Sequence, residues 1–333
     1  MRIPYFDFLR GVAIIMVVFI HCFGICYSYS NVNIPVITIR NLLNVSVPLF
    51  FAISGFFLAS KKMENGGYVQ FLKRQIPKVY IPTVFCSLIY LCRDLENGVV
   101  LPAFLNFFFC GYSIYYFIFV IIQFYLLLWF LQKNISTLLV LISFVLGAVW
   151  WFLNSYWGWG VDESLPLLFY AGNVIPWGFY FILGMFLAKR PSDVFSYKML
   201  CGMAVIFVAV AVVESFYIID STHALNGVGQ KISCFILNAF LCIILFRKDT
   251  ISFFSSYKET ALFRTICFLG RFSFGIYLIH YYMLGLAWKI ESLISCQFAK
   301  WIVCSLLVLS VSIVVLVVMK KLCPKMSKIF LGV

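Results

Sequence analysis

Charge is what this chain has least of. Only 11% of its 333 residues are charged, against 64% apolar and 20% aromatic, and it carries just 12 acidic residues and three histidines. That scarcity excludes a soluble globular domain, whose surface needs far more polar side chains. Strict apolar–polar alternation is also missing, which excludes a transmembrane β-barrel. The apolar runs continue instead for about 20 residues, the length of a membrane-crossing helix, so the expected fold is an all-α polytopic membrane protein. No long linker, low-complexity segment or soluble domain interrupts the chain. No small-residue cleavage site follows the first apolar run, so that run is expected to remain as the first helix. Cysteine is plentiful at 12, but zinc-like spacing is absent. Cys22 and Cys26 have no matching Cys/His pair, so the cysteines read as small buried apolar residues and no metal is expected.

The apolar runs define about ten spans, at approximately 9–29, 43–60, 76–92, 112–132, 135–153, 167–188, 199–219, 231–247, 265–287 and 298–319. Residues 99–111 are apolar but too short to cross, and read as an interfacial or re-entrant piece. The net charge of +13 would suggest a nucleic-acid partner in a soluble protein. Here the basic residues gather at alternate span ends instead. One set holds Arg2, Lys61, Lys62, Lys73, Arg74, Lys133, Lys189, Arg190, Lys320 and Lys321, among others. The opposite set holds few: Arg40, Arg93, Lys231, Lys289 and Lys300. The positive-inside rule then puts both termini in the cytoplasm.

Arg10 and His21 organise the first span. A titratable side chain inside an apolar span is costly and usually functional. The two lie eleven positions apart, about three helical turns, so they share roughly one face and are separated by roughly 16 Å along the axis. One reading makes Arg10 a cation at the cytoplasmic surface and His21 a general base in the outer half of the span. The other makes His21 a core histidine bonded to a neighbouring helix. Asp7, one turn before Arg10, can hold its fork or form a plain surface ion pair. Arg74 and Lys78, one turn apart at the start of the third span, add cations on one face, with Lys73 beside them. His280 falls in the outer half of the ninth span, Glu214 inside the seventh, and His223 in an outer loop. The outer loop from Asn154 to Pro166 mixes Tyr156, Trp157 and Trp159 with Asp162 and Glu163, which suits a sugar, although an interfacial aromatic belt is the commoner role of any single Trp.

Asp7-Phe-Leu-Arg10-Gly11, with ten residues between Arg10 and His21, resembles the N-terminal motif of the acyltransferase-3 family of integral membrane acyltransferases. Val47 to Phe56, with Ser54-Gly55-Phe56, looks like that family's second-span signature. Phe71 to Pro82, with Lys73, Arg74 and Lys78, looks like its basic third-span entry, although richer in lysine, which keeps the charge and loses the bidentate fork. Gln123-Phe-Tyr125 and Ser273-Phe-Gly-Ile-Tyr277-Leu-Ile-His280 resemble pieces of its fourth span and a late span. The resemblance runs from residue 5 to about 320, and implies a single membrane-embedded acyltransferase domain over residues 1–333 in a bacterial inner membrane. It implies acyl transfer, usually acetyl, from cytoplasmic acetyl-CoA (acyl-CoA) to a cell-surface glycan such as O-antigen, capsule or exopolysaccharide, with no bound cofactor.

In that reading Arg10, Lys73, Arg74 and Lys78 meet the CoA phosphates. The pantetheine arm spans the distance to His21, which acts as general base or carries the acyl group as an acetyl-imidazole. Asp7, Ser54, Gly55, Gln123, Tyr277 and His280 support the site, Ser54 and Gly55 by letting the arm pass close to the backbone or simply by packing. The competing class is a transporter or flippase for an anionic or lipid-linked substrate. Against it, no internal repeat is visible, and the charges gather at one end of spans one and three rather than at the midplane.

Overall fold

The structure, a computed structural model, describes residues 3–61, 67–156, 166–190, 196–225 and 228–333. The loop tryptophans Trp157 and Trp159, with Asp162, Glu163, Arg2 and Lys62, lie outside the described residues.

The chain is a helical bundle whose order follows its apolar runs. Helix α1 (Pro4–Cys26) opens with a proline in its first turn, where the missing N–H costs nothing. Helices α2 (Ile34–Leu43) and α3 (Ser46–Leu58) form one apolar stretch broken at Asn44 and Val45. Asn33 starts it by accepting from the Val36 N–H at 3.1 Å, an ordinary N-cap. Helix α4 (Gly67–Glu96) contains Pro77 and Pro82. Next come α5 (Leu101–Phe108), α6 (Tyr116–Asn134), α7 (Thr137–Tyr156), the single turn α8 (Leu167–Tyr170) and α9 (Ile175–Lys189). The second half holds α10 (Tyr197–Thr222), α11 (Ile232–Leu245), α12 (Lys248–Ser256), α13 (Ala261–Ile290), α14 (Gln297–Leu322) and α15 (Pro324–Phe330).

Among the described residues nine helical stretches are long and apolar enough to cross a membrane. The protein is therefore an all-α, multi-pass membrane protein. The expected eighth span is the exception. It is the 14-residue α11, about 21 Å long and short of the roughly 30 Å hydrocarbon layer. The segment expected to be interfacial is the eight-residue α5.

Four hydroxyls inside the bundle are satisfied on their own helices. Thr83 donates to the Val79 carbonyl, Ser87 to Thr83, Ser305 to Trp301 and Ser312 to Val308, at 2.7–2.8 Å. This is what a chain without water must do. The outward faces of α7 and α10 carry Leu141, Val145, Val149, Val205 and Val213, all exposed and suited to lipid.

Two helix pairs pack with glycine against backbone. In α1 and α13, a Cβ on Gly11 would lie 2.0 Å from the Ile266 carbonyl oxygen, and one on Gly270 would lie 1.8 Å from that of Asp7. In α3 and α9, Gly55 faces the Phe181 carbonyl and Gly184 that of Ala52, each at 2.0 Å. Only glycine permits such approach. The first pair fixes the register of the site, because His21 lies ten residues beyond Gly11 and His280 ten residues beyond Gly270. Two helices running the same way from one contact bring both histidines to the same depth, about 15 Å from it.

Candidate active site

His21 and His280 meet in the middle of the bundle with ring centroids 5.3 Å apart. His280 is fully buried. Its Nδ1 lies 3.0 Å from the Ile276 carbonyl and 2.9 Å from that of Tyr277. Carbonyls only accept, so the proton sits on Nδ1 and Nε2 keeps a lone pair. That Nε2 is buried with no hydrogen-bond partner among the described residues. Tyr281 stands edge-on to His21 at 5.8 Å.

Two cavities meet at His21. The narrower encloses about 230 Å³ and is lined by Arg10, Ser54, Phe50, Val79, Tyr125 and Tyr277, among others. It runs along the α1 face that carries both Arg10 and His21. The wider encloses about 630 Å³ toward the opposite end of the helices, and includes Arg40, Asn44, Trp151, Tyr170, Trp177 and Lys231 in its wall. His21, Val47, Ile114 and Tyr116 border both. The arrangement is a smaller, mostly apolar cavity and a larger one with aromatic walls, which share His21 among the four residues that border both.

Arg10 is held in place at the channel. Its Nη1 donates to Asp7 Oδ1 at 3.3 Å, and its guanidinium lies 5.2 Å from the Phe57 ring. Lys73, Arg74 and Lys78 sit in the first turns of α4 and are exposed. They are near the Arg10 end of the bundle without lining the channel. Ser54 lines the channel, whereas its neighbour Gly55 is given over to the contact with α9. Gln123 donates to the Gly172 carbonyl at 2.7 Å, tying α6 to the turn before α9 rather than lining either cavity. Tyr277 donates to the Ile114 carbonyl and so closes the wall between α13 and the start of α6.

Glu214, a lone acid in a long span by sequence, has a structural partner set. Its carboxylate accepts from the Tyr156 hydroxyl at 3.0 Å and from the Ser233 N–H at 3.1 Å. It therefore sits at the N-terminus of α11, where a negative charge is favoured. His223 ends α10 in a left-handed conformation, its ring 5.8 Å from Tyr29.

Sequence reasoning passed over Arg40, Lys231, Tyr281 and the aromatic wall of the chamber. A weak signal existed for the first two, since they are isolated basic residues on the side poor in cations. The aromatics of α6, α7 and α9 have no such signal, being indistinguishable from lipid-facing ones until packed.

The small volume of the cavity between Arg10 and His21 allows a steric test. Ser54→Phe adds a ring to a space of about 230 Å³. With acyl-CoA as the donor that the sequence resemblance implies, it should cut thioester consumption by about tenfold or more while leaving the protein monodisperse, an effect the size of a misplacement of reacting groups. Unchanged thioester consumption would show that no substrate uses the channel.

The acyltransferase-3 family, described as "Acyltransferase domain", matches residues 3–319. Among curated relatives, a "Probable poly-beta-1,6-N-acetyl-D-glucosamine export protein" of Staphylococcus aureus is 26% identical over 255 residues, covering 73% of this chain and 69% of that protein. A "Putative membrane-bound acyltransferase YfiQ" of Bacillus subtilis is 26% identical over 308 residues, covering 85% of this chain and 82% of that protein. No solved structure matches the chain.

Proposed function

Since the chain belongs to the acyltransferase-3 family and is a membrane acyltransferase, we propose that it moves an acyl group, acetyl by preference, from cytoplasmic acyl-CoA to a hydroxyl of a cell-surface glycan. The observation that carries this reading is the meeting of two unlike cavities at His21. A two-substrate transfer across a membrane needs two approaches and one point of contact.

The donor enters at the Arg10 end. Arg10 at the channel, with the exposed Lys73, Arg74 and Lys78, binds the phosphates. The Asp7 carboxylate fixes the Arg10 fork. The pantetheine arm lies in the channel among Val17, Val47, Phe50 and Phe117, with Ser54 and Tyr277 on its walls, and delivers the thioester carbonyl to His21. The glycan enters the chamber, where Trp151, Tyr170 and Trp177 offer flat apolar faces to sugar rings, while polar groups orient the hydroxyls.

His21 accepts the proton of the attacking hydroxyl as the oxygen adds to the thioester carbonyl. Collapse of the tetrahedral intermediate breaks the C–S bond, and the proton leaves with the CoA thiolate. His280, whose ring lies 5.3 Å from that of His21, acts as a positioning residue that orients the imidazole by packing against it. Gly55 and Gln123 serve the helix packing that holds the channel walls.

The export names of the staphylococcal relatives raise a second reading, passage of a glycan. Export needs a path for a hydrated sugar at both ends. The smaller, largely apolar cavity at the Arg10 end suits an acyl arm better.

The direct test is turnover of labelled acetyl-CoA by the protein in nanodiscs, with cell-surface glycan added. Acceptor-dependent release of free CoA supports transfer. Absence of thioester loss with glycan translocation in sealed vesicles supports export.

Sidedness has its own test. Cys296 and Cys323 are exposed at opposite ends of α14. In otherwise cysteine-free variants, an impermeant maleimide should label Cys296 in intact cells and Cys323 only after permeabilisation. The reverse pattern would turn the mechanism around.

A further inference from the structure

We propose that the wide chamber is built for an acceptor that carries an oxyanion, a carboxylate or a phosphate, seated on Arg40. Arg40 comes from α2 and lines the chamber. One of its Nη atoms donates to Asn44 Oδ1, and its guanidinium lies 5.7 Å from the Phe23 ring. Its Nε is buried and has no hydrogen-bond partner among the described residues. Nor does Arg40 take part in any ion pair among them. Arg40 as a whole is only partly buried, so the rest of its guanidinium faces the chamber as a cation without an acidic partner among the described residues, which favours an anion there. A bidentate oxyanion matches its geometry, as no neutral hydroxyl does.

The rest of the wall keeps the site positive. Lys231, only 1% exposed, donates to Asn41 Oδ1 at 3.2 Å, to the Ala211 carbonyl at 2.7 Å and to Ser215 Oγ. All three of its donors go to neutral acceptors, so it adds field and leaves the contact to Arg40. The carboxylate of Glu214, next to Ser215, is committed to Tyr156 and to the Ser233 N–H. Two cations against one carboxylate leave a surplus of positive charge. Gly229 makes the seat open: a Cβ there would lie 3.3 Å from Arg40 Nη2 and 2.8 Å from Asn44 Oδ1.

His21 borders the same chamber, so an anion on Arg40 would present neighbouring hydroxyls to the imidazole. That consequence rests on the acyl-transfer reading, whereas the anion seat itself does not.

The test measures binding without any thioester, by tryptophan fluorescence of the protein in nanodiscs. Three probes are titrated: tetragalacturonate, glycerol 1-phosphate and the neutral maltotetraose. At least one anionic probe should bind about 10- to 100-fold more tightly than maltotetraose, the worth of a charge-assisted hydrogen-bonded contact. The better of the two identifies carboxylate or phosphate as the source. Arg40→Gln should remove the preference and leave maltotetraose binding unchanged. Arg40→Lys should keep part of it, and stands in if Arg40→Gln does not fold. Equal binding of neutral and anionic probes by wild type would overturn the proposal. So would a preference that survives both variants, or an equal loss of all three probes. Acetyl-CoA turnover without anion preference would sink only this seat. Anion preference without turnover would leave the seat standing and count against acyl transfer.

Discussion

His21→Ala should abolish acyl transfer while leaving the protein folded. A positioned general base contributes about 10²- to 10⁴-fold, and a base that also carries the acyl group contributes no less. A loss in this range is therefore expected in the turnover of labelled acetyl-CoA at equal amounts of monodisperse protein. The substitution removes a ring that borders open space on two sides, so little packing is lost with it. His280 cannot take over. It is fully buried and lines neither cavity, so neither substrate reaches its ring. Transfer by the variant at more than about a tenth of the wild-type rate would make His21 a packing residue, and would leave the meeting of the cavities without a chemical purpose.

Four residues of the channel lining, Arg10, His21, Ser54 and Tyr277, were legible in the sequence, and the chamber was not, for a physical reason. Arg10, Ser54 and His21 belong to apolar helices whose periodicity fixes their faces, and Arg10 and His21 do line one cavity. The chamber depends on contacts between distant segments. Arg40 reads as a loop cation because the apolar run is clearest from residue 43. The helix begins nine residues earlier, at Ile34, because Asn33 caps it. Lys231 reads the same way, since nothing local reveals that Asn41 and Ala211 will close around it. The length of α11 was also hidden. Its apolar composition matches a full span, yet its helix stops at 14 residues. The pairing of His21 with His280 was written only in a shared offset, ten residues beyond Gly11 and ten beyond Gly270, and that offset means nothing until α1 and α13 are known to touch.

That offset sets the second large effect. Gly270→Val should cost the protein its fold, not merely its activity. Ordinary overpacking costs about 1–3 kcal/mol because side chains can turn aside. Here the added Cβ would stand 1.8 Å from the Asp7 carbonyl oxygen and 2.9 Å from the Gly11 nitrogen, both backbone atoms of α1 that cannot rotate away. Relief requires moving α1 from α13 along the contact. Such a shift also frees the Asp7 backbone beside the Arg10 ion pair and pulls His21 from His280. Against a total stability of about 5–15 kcal/mol, a loss above the ordinary range should appear as aggregation on extraction, or as a large fall in the melting midpoint. Gly285, further along the same helix, has nothing within 4 Å of its would-be Cβ, so Gly285→Val should be tolerated. Equal stability of the two variants would mean that α1 and α13 are not locked at this point, and the common depth of the two histidines would then need another cause.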